Sequence, residues 1–237
     1  MAIGLVGSEM CIRDRAIAFM ALNVQTDFVK QKPVRQAIAS VMDRQLLNER
    51  ILKGQGEPLY SMIPVAFDAS KPVFKELYGD KDKEAAKKLL QEASFSANNP
   101  ATVEIWHSYG SVNTSQVAAI LKSLAQRDLE GMLEFVPNSI ASAAFFKNLS
   151  QGLYQSTLSS WYPDFLDADN YIYPFLDCAE GSPEQGCSEG GSQSQGSFYY
   201  NPEINDLIAE QRREPDAEKR KAIFVKIQEI LAEDVPY

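Results

Sequence analysis

Apolar positions recur along the chain at two spacings. From Ala16 to Thr26 apolar and small residues alternate, which predicts a strand. Over Val34 to Leu52 the interval lengthens, with Val34, Ala37, Ile38, Val41, Met42, Leu46 and Ile51 falling at every third or fourth place. That spacing predicts one amphipathic helix, with Pro33 favourable just before its first turn and Gly54 and Gly56 beyond its end. Glu57 to Pro72 carries Pro58, Pro64 and Pro72 and reads as an ordered surface loop, because proline removes donors from any regular ladder. Asp80 to Ala93 returns to helical spacing through Ala85, Leu89, Leu90 and Ala93.

Strands are then predicted over Thr102 to Trp106, Met132 to Val136 and Tyr154 to Trp161, and helices over Ser115 to Gln126 and Ile140 to Leu149. Strands alternating with helices predict an α/β layer in which helices cover a sheet. From Asp177 to Ser197 Gly, Ser, Gln and Glu take over, which predicts a long irregular loop containing Cys178 and Cys187. Two closing helices follow. Asn201 with Pro202 starts the first, which carries Ile204, Leu207 and Ile208, and Pro215 with Asp216 starts the second, which carries Ile223, Phe224, Ile227, Ile230 and Leu231.

Composition narrows the classes of function. With 237 residues and 45% hydrophobic content the chain can bury a sizeable core. A formal net charge of -9 argues against a nucleic-acid partner, which would need clustered cations. The lysine-rich stretch Lys81 to Lys88 is interleaved with Asp82, Glu84 and alanines and reads as a solvated helix face. No apolar run approaches the ~18 residues that span a bilayer. Residues 1–15, MAIGLVGSEMCIRDR, lack the basic start, sustained apolar middle and small-residue cleavage site of a secretory signal. They resemble translated sequencing-adaptor sequence, so residues 1–15, with Cys11, are set aside as a non-native segment. The amphipathic stretch Ala217 to Glu233 runs into Asp234-Val235-Pro236-Tyr237 without a further element, and the expectation is a fragment of a longer protein.

Candidate chemistry is sparse. The single histidine, His107, follows Trp106 at a strand end and reads as a surface or edge residue, with no nucleophile partnered to it. Gly186, Gly190, Gly191 and Gly196 lie in the irregular loop and not at a helix start, so no phosphate cradle is predicted. Two cysteines and one histidine do not complete a four-ligand metal site. Asp167, Asp169 and Asn170 have the oxygen-rich spacing of a calcium loop but lack its turn glycine and distal glutamate, so turn-forming and capping roles are preferred. The expectation is a non-catalytic chain without cofactor or metal. On residue type alone, Trp161 reads as a core residue at a strand end and Asp164 as a cap or turn former.

Several segments in order resemble the bacterial extracellular solute-binding proteins of family 5, the peptide, dipeptide and nickel binders of ABC importers. The V-R-Q-A-I helix with its following D-R is matched by Val34-Arg35-Gln36-Ala37-Ile38 and Asp43-Arg44, after Leu22-Asn23 and Pro33. Ile63-Pro64 resembles the family's I-P segment, and Ala86, Leu89, Leu90, Glu92 and Ala93 its A-x-x-L-L-x-E-A helix. The W-x-x-D-[YF]-x-D-P-D-N-[FY] stretch reads Trp161-Tyr162-Pro163-Asp164-Phe165-Leu166-Asp167-Ala168-Asp169-Asn170-Tyr171, with Ala168 in place of proline. The closing helices resemble the family pattern through Asn201, Asp206, Leu207, Ile208, Arg220, Lys221, Ile227, Gln228, Ile230, Leu231, Glu233, Asp234, Pro236 and Tyr237. The resemblance spans residues 16 to 237.

The resemblance implies a type II periplasmic-binding-protein fold in two α/β lobes joined by hinge strands, closing around a solute. On this reading residues 16–33 are a strand and hinge leaving a missing first lobe, and residues 34–237 are an incomplete second lobe. It implies that Asp164 pairs with the α-ammonium of a bound short peptide, with Trp161 as a flat apolar wall and Tyr162 beside it. It also implies a disulfide between Cys178 and Cys187, a periplasmic or otherwise extracytoplasmic location with a lipid anchor left open, ABC permease subunits as partners, and a monomer. Nickel, haem, oligosaccharide or opine binding on the same scaffold, a peptide-binding chaperone, and a fragment without activity are the alternatives.

Overall fold

The computed structural model describes residues 15–237, so the expectation for residues 1–14 lies outside the described residues. Its main sheet has four strands, β1 (Ile17–Leu22), β2 (Ala101–Ser108), β3 (Leu133–Ile140) and β4 (Ser156–Trp161), in the order β1-β4-β2-β3. β2 runs parallel to both β3 and β4, and β1 pairs antiparallel with β4 over Ile17↔Trp161 to Leu22↔Ser156. The chain therefore enters β1 at the end of the sheet where β2, β3 and β4 finish.

Between β1 and β2 lie α1 (Lys32–Val41), α2 (Arg44–Ile51), α3 (Val73–Tyr78) and α4 (Lys83–Glu92). The single helix expected over Val34 to Leu52 is thus two. Met42 is extended, and the Asp43 carboxylate accepts a hydrogen bond from the Leu46 amide at 2.9 Å, so a new N-terminus forms inside a stretch whose apolar spacing is continuous. Six-residue α3 falls directly after the proline-rich loop and is too short to register as a period.

α5 (Val112–Asp128) and α6 (Ser142–Ser150) connect the parallel strands, as the alternation predicted. β3 continues through Pro137 to Ile140, further than expected, because β3 is an edge strand where a missing donor is tolerated. One sheet face carries Met20, Leu22, Val103, Ile105, Phe135 and Leu158 against α1, α4 and α5. The other face splits. Trp106 and Tyr154 stack beside Phe145 of α6, while Ile17, Phe19 and Trp161 meet a second core formed by the later helices.

His107 is corrected by this arrangement. It is only 5% exposed, because β2 is an inner strand and position 107 shares the buried face of Val103 and Ile105.

After β4 come a 3-10 turn (Ala168–Tyr171), α7 (Tyr173–Leu176), β5 (Glu180–Ser182), β6 (Gly186–Glu189), α8 (Gly191–Ser194), α9 (Pro202–Gln211) and α10 (Ala217–Asp234). The expected irregular loop over Asp177 to Ser197 is therefore a small hairpin and a helical turn, with Cys178 and Cys187 disulfide-bonded and their Cα atoms 5.7 Å apart. Gly186 has φ +69°, and a Cβ there would lie 2.4 Å from the Phe198 carbonyl oxygen; the hairpin is seated against backbone that only glycine admits. Asn201 and Asp216 cap α9 and α10, as expected. Among the described residues no helix is long and apolar enough to cross a membrane.

Candidate functional site

Three parallel strands end side by side, and the segments that follow them form a rim. Tyr109 leaves β2 with its amide donating to the Ile140 carbonyl at 2.6 Å, so the ends of β2 and β3 stay together. Exposed Tyr109, Val112 and Phe146 lie on the segments and helices after β2 and β3, and exposed Tyr162, Phe165 and Leu166 follow β4. Crevices beyond the carboxyl ends of parallel strands are where open α/β sheets take ligands.

The most informative part of the rim is the turn after β4. Trp161, the last residue of the strand, is half-buried, with its ring edge-on to Phe175 at a centroid distance of 5.2 Å. Pro163 is buried and Asp164 exposed. The Asp164 carboxylate makes no hydrogen bond or ion pair among the described residues. Its backbone amide donates to Asn170 Oδ1 at 3.2 Å, and the same oxygen accepts from the Trp161 indole Nε1 at 2.9 Å. Asn170, 2% exposed, thus ties both expected site residues to the 3-10 turn. Tyr162 shares the segment and is exposed, but no polar contact fixes its hydroxyl among the described residues.

The neighbouring carboxylates are already committed. Asp167 is gripped by Arg220 through two hydrogen bonds of 2.8 Å, and its own carboxylate accepts from the Asp169 amide at 2.8 Å. The Arg220 hydrogen bonds hold the Asp167 carboxyl below its ordinary pKa against the opposing effect of burial. Asp169 accepts from Arg212 at 2.7 and 3.0 Å and from Gln211 at 2.5 Å. Arg212 in turn lies 3.5 Å above the centroid of the Tyr173 ring. Asp167 caps the turn and both carboxylates face arginines, an arrangement that serves anchoring and not the calcium loop weighed from their spacing. The turn is held by α9 and α10, and of the three carboxylates only Asp164 has no cationic partner among the described residues.

Sequence reading located Trp161, Tyr162 and Asp164 but treated Asn170 as a turn former. The available signal was a buried-type amide close downstream of an indole, a donor that needs an acceptor when half-buried. The disulfide pair lies elsewhere. Pro183 and Gly186 of its hairpin line a cavity of about 200 Å³ together with Val24, Gln25 and Lys30, beyond the opposite end of β1 from Trp161.

Comparison with known proteins agrees with this architecture. The family model described as bacterial extracellular solute-binding proteins, family 5 (middle), matches residues 13–183. The periplasmic oligopeptide-binding protein OppA of Haemophilus influenzae is 26% identical over 207 residues, covering 85% of this chain and 35% of that protein. The Escherichia coli dipeptide-binding protein is 22% identical over 221 residues, covering 93% and 39%. The crystal structure of Haemophilus influenzae OppA in complex with RPPGFSPFR superposes with a TM-score of 0.80 at 24% identity, over 93% of this chain and 41% of that one. Helicobacter pylori DppA in complex with the peptide STSA gives 0.77 at 23% identity, over 94% and 40%. The chain spans well under half the length of these relatives. The fold is the mixed α/β architecture of type II periplasmic binding proteins, and the structural match reaches past residue 183 to include the closing helices.

Proposed function

Since the chain belongs to the family 5 bacterial extracellular solute-binding proteins, we propose that it forms most of the second lobe of a protein that binds short peptides outside the cytoplasm and delivers them to the permease of an ABC importer. Residues 16–33 are the strand and hinge from the first lobe, and residues 34–237 are the second lobe. The protein binds its solute as a monomer and without converting it. Similarity to the oligopeptide- and dipeptide-binding relatives supports the choice of peptide, and the periplasmic name of the oligopeptide-binding relative supports the location.

The observation that carries the reading is Asp164: an exposed carboxylate without a cationic partner among the described residues, beside a half-buried indole, at the carboxyl ends of parallel strands. A peptide ammonium is a cation of the right size for it. Once a closing cleft removes water, the pair becomes a charge-assisted hydrogen bond worth far more than the same contact in bulk solvent. The anchor reads the peptide's end and not its side chains, which suits a binder of varied sequences.

Calorimetric titration of the full-length protein with tri- and tetrapeptides, beside their N-acetylated forms and Asp164→Ala, tests this. We expect the substitution or the acetylation to cost about 2 kcal/mol or more, roughly 30-fold in Kd, and the two together to cost little beyond either. Equal binding of free and acetylated peptides would remove the anchor. No binding of any peptide would move the protein to another solute on the same scaffold.

A further inference from the structure

We infer that Asn170 is a positioning residue for ligand recognition: its one side-chain oxygen fixes the Trp161 ring and the Asp164 backbone together, and so sets how well the site recognises an ammonium group. The inference rests on the reading of Asp164 as the ammonium anchor and adds to it the group that holds the anchor in place.

Both donors are obligatory. The Trp161 indole has only an N–H to offer, and the Asp164 amide is a backbone N–H in a turn; neither can accept. An asparagine facing two donors must present its carbonyl oxygen, which fixes the orientation of the amide by chemistry. Distances of 2.9 Å and 3.2 Å place both within hydrogen-bonding range of Asn170 Oδ1. At 2% exposure no solvent competes for that oxygen.

Asn170 is itself held from behind. Its amide donates to the Asp167 carbonyl at 3.1 Å, and the Asp167 side chain is clamped by Arg220 of α10. A rigid path therefore runs from the closing helix through the 3-10 turn to the wall and the anchor of the site. Such support matters because a charge-assisted contact is strong only when its geometry is fixed before the ligand arrives. Trp161 and Asp164 lie three residues apart on a strand-to-turn segment, and nothing else described ties the indole N–H. Without Asn170 the indole is free to rotate away from Phe175 and the Asp164 turn to relax.

The test compares Asn170→Asp, which keeps an oxygen acceptor at the same reach, with Asn170→Leu, which keeps the volume and removes it. The readout in the full-length protein is the ratio of affinities for a free-amine tripeptide and its N-acetylated form, with hydrogen exchange of the Trp161 indole N–H followed by NMR and assigned by the signal that Trp161→Phe removes. We expect Asn170→Leu to lower the free-amine preference about tenfold or more and to speed indole exchange, and Asn170→Asp to restore both close to wild type. An Asn170→Leu protein that folds and keeps the full preference overturns the inference while leaving the anchor intact. A wild-type protein without any preference overturns the anchor and the inference together. Should Asn170→Leu not fold, the wild-type indole decides: slow exchange supports the hydrogen bond to Asn170, and exchange at the rate of an exposed tryptophan contradicts it.

Discussion

Asp164, Asp167 and Asp169 follow one another closely, yet they meet different surroundings. Arg220 and Arg212 neutralise the second and third, while the first has no cation among the described residues. The Asp167 pair has a measurable signature. Its folded-state pKa lies below the ordinary 3.8, chiefly through the hydrogen bonds from Arg220, so it contributes stability fully above the unfolded-state value of about 3.9. That contribution is lost as the pH falls through the lower folded-state pKa. Urea midpoints of the full-length protein should therefore fall between about pH 5 and about pH 2, and Arg220→Met should flatten this acid arm while lowering the midpoint at neutral pH. An unchanged acid dependence in the variant would show that the pair contributes nothing. At this scale the sequence was legible in the turn-forming role given to Asp167, whose carboxylate accepts from the Asp169 amide, and its motif singled out Trp161 and Asp164 as candidates. It was opaque at Asn170, whose partners are set by a chain reversal and not by spacing.

Elements with a strong period were read well: β2 alternates buried and half-buried positions along its whole length, and α9 and α10 begin at the caps expected of them. Two failures have local causes. A capping aspartate, Asp43, breaks a helix without disturbing its apolar spacing, so periodicity alone could not see the break. The hairpin of β5 and β6 has almost no apolar content, and its order comes from the Cys178–Cys187 bond, Gly186 and the Cys187 amide donating to the Phe198 carbonyl at 2.9 Å. Closing a loop of sequence separation 9 stabilises by about 2–3 kcal/mol on the chain-entropy account. Reduction should lower the Tm of the full-length protein by about 2 to 4 °C, and the Cys178→Ser/Cys187→Ser pair should melt at the reduced value whatever the redox state. The hairpin lies beyond the far end of β1 from the rim, so peptide affinity of the folded reduced protein should stay within about twofold of the oxidised one. A large loss of affinity on reduction would place the hairpin in the site.

For the molecule as a whole, the carboxyl ends of three parallel strands lie together at the end of the sheet marked by the Ile17–Trp161 pair. Helices cover one sheet face through Val103, Ile105 and Phe135, and the later helices cover the other through Phe19 and Trp161, while Tyr109, Tyr162 and Phe165 stay exposed at the rim. The α/β class was legible from alternation, and the family from ordered motifs. The strand order β1-β4-β2-β3 was not, because nothing in sequence says that β4 inserts between β1 and β2. The most direct measurement of the central claim is a crystal structure of the full-length protein with a bound tripeptide. The account predicts the peptide ammonium at about 3 Å from the Asp164 carboxylate, beside the Trp161 ring. A peptide whose amino end lies away from Asp164, or whose contacts avoid this rim, would contradict it.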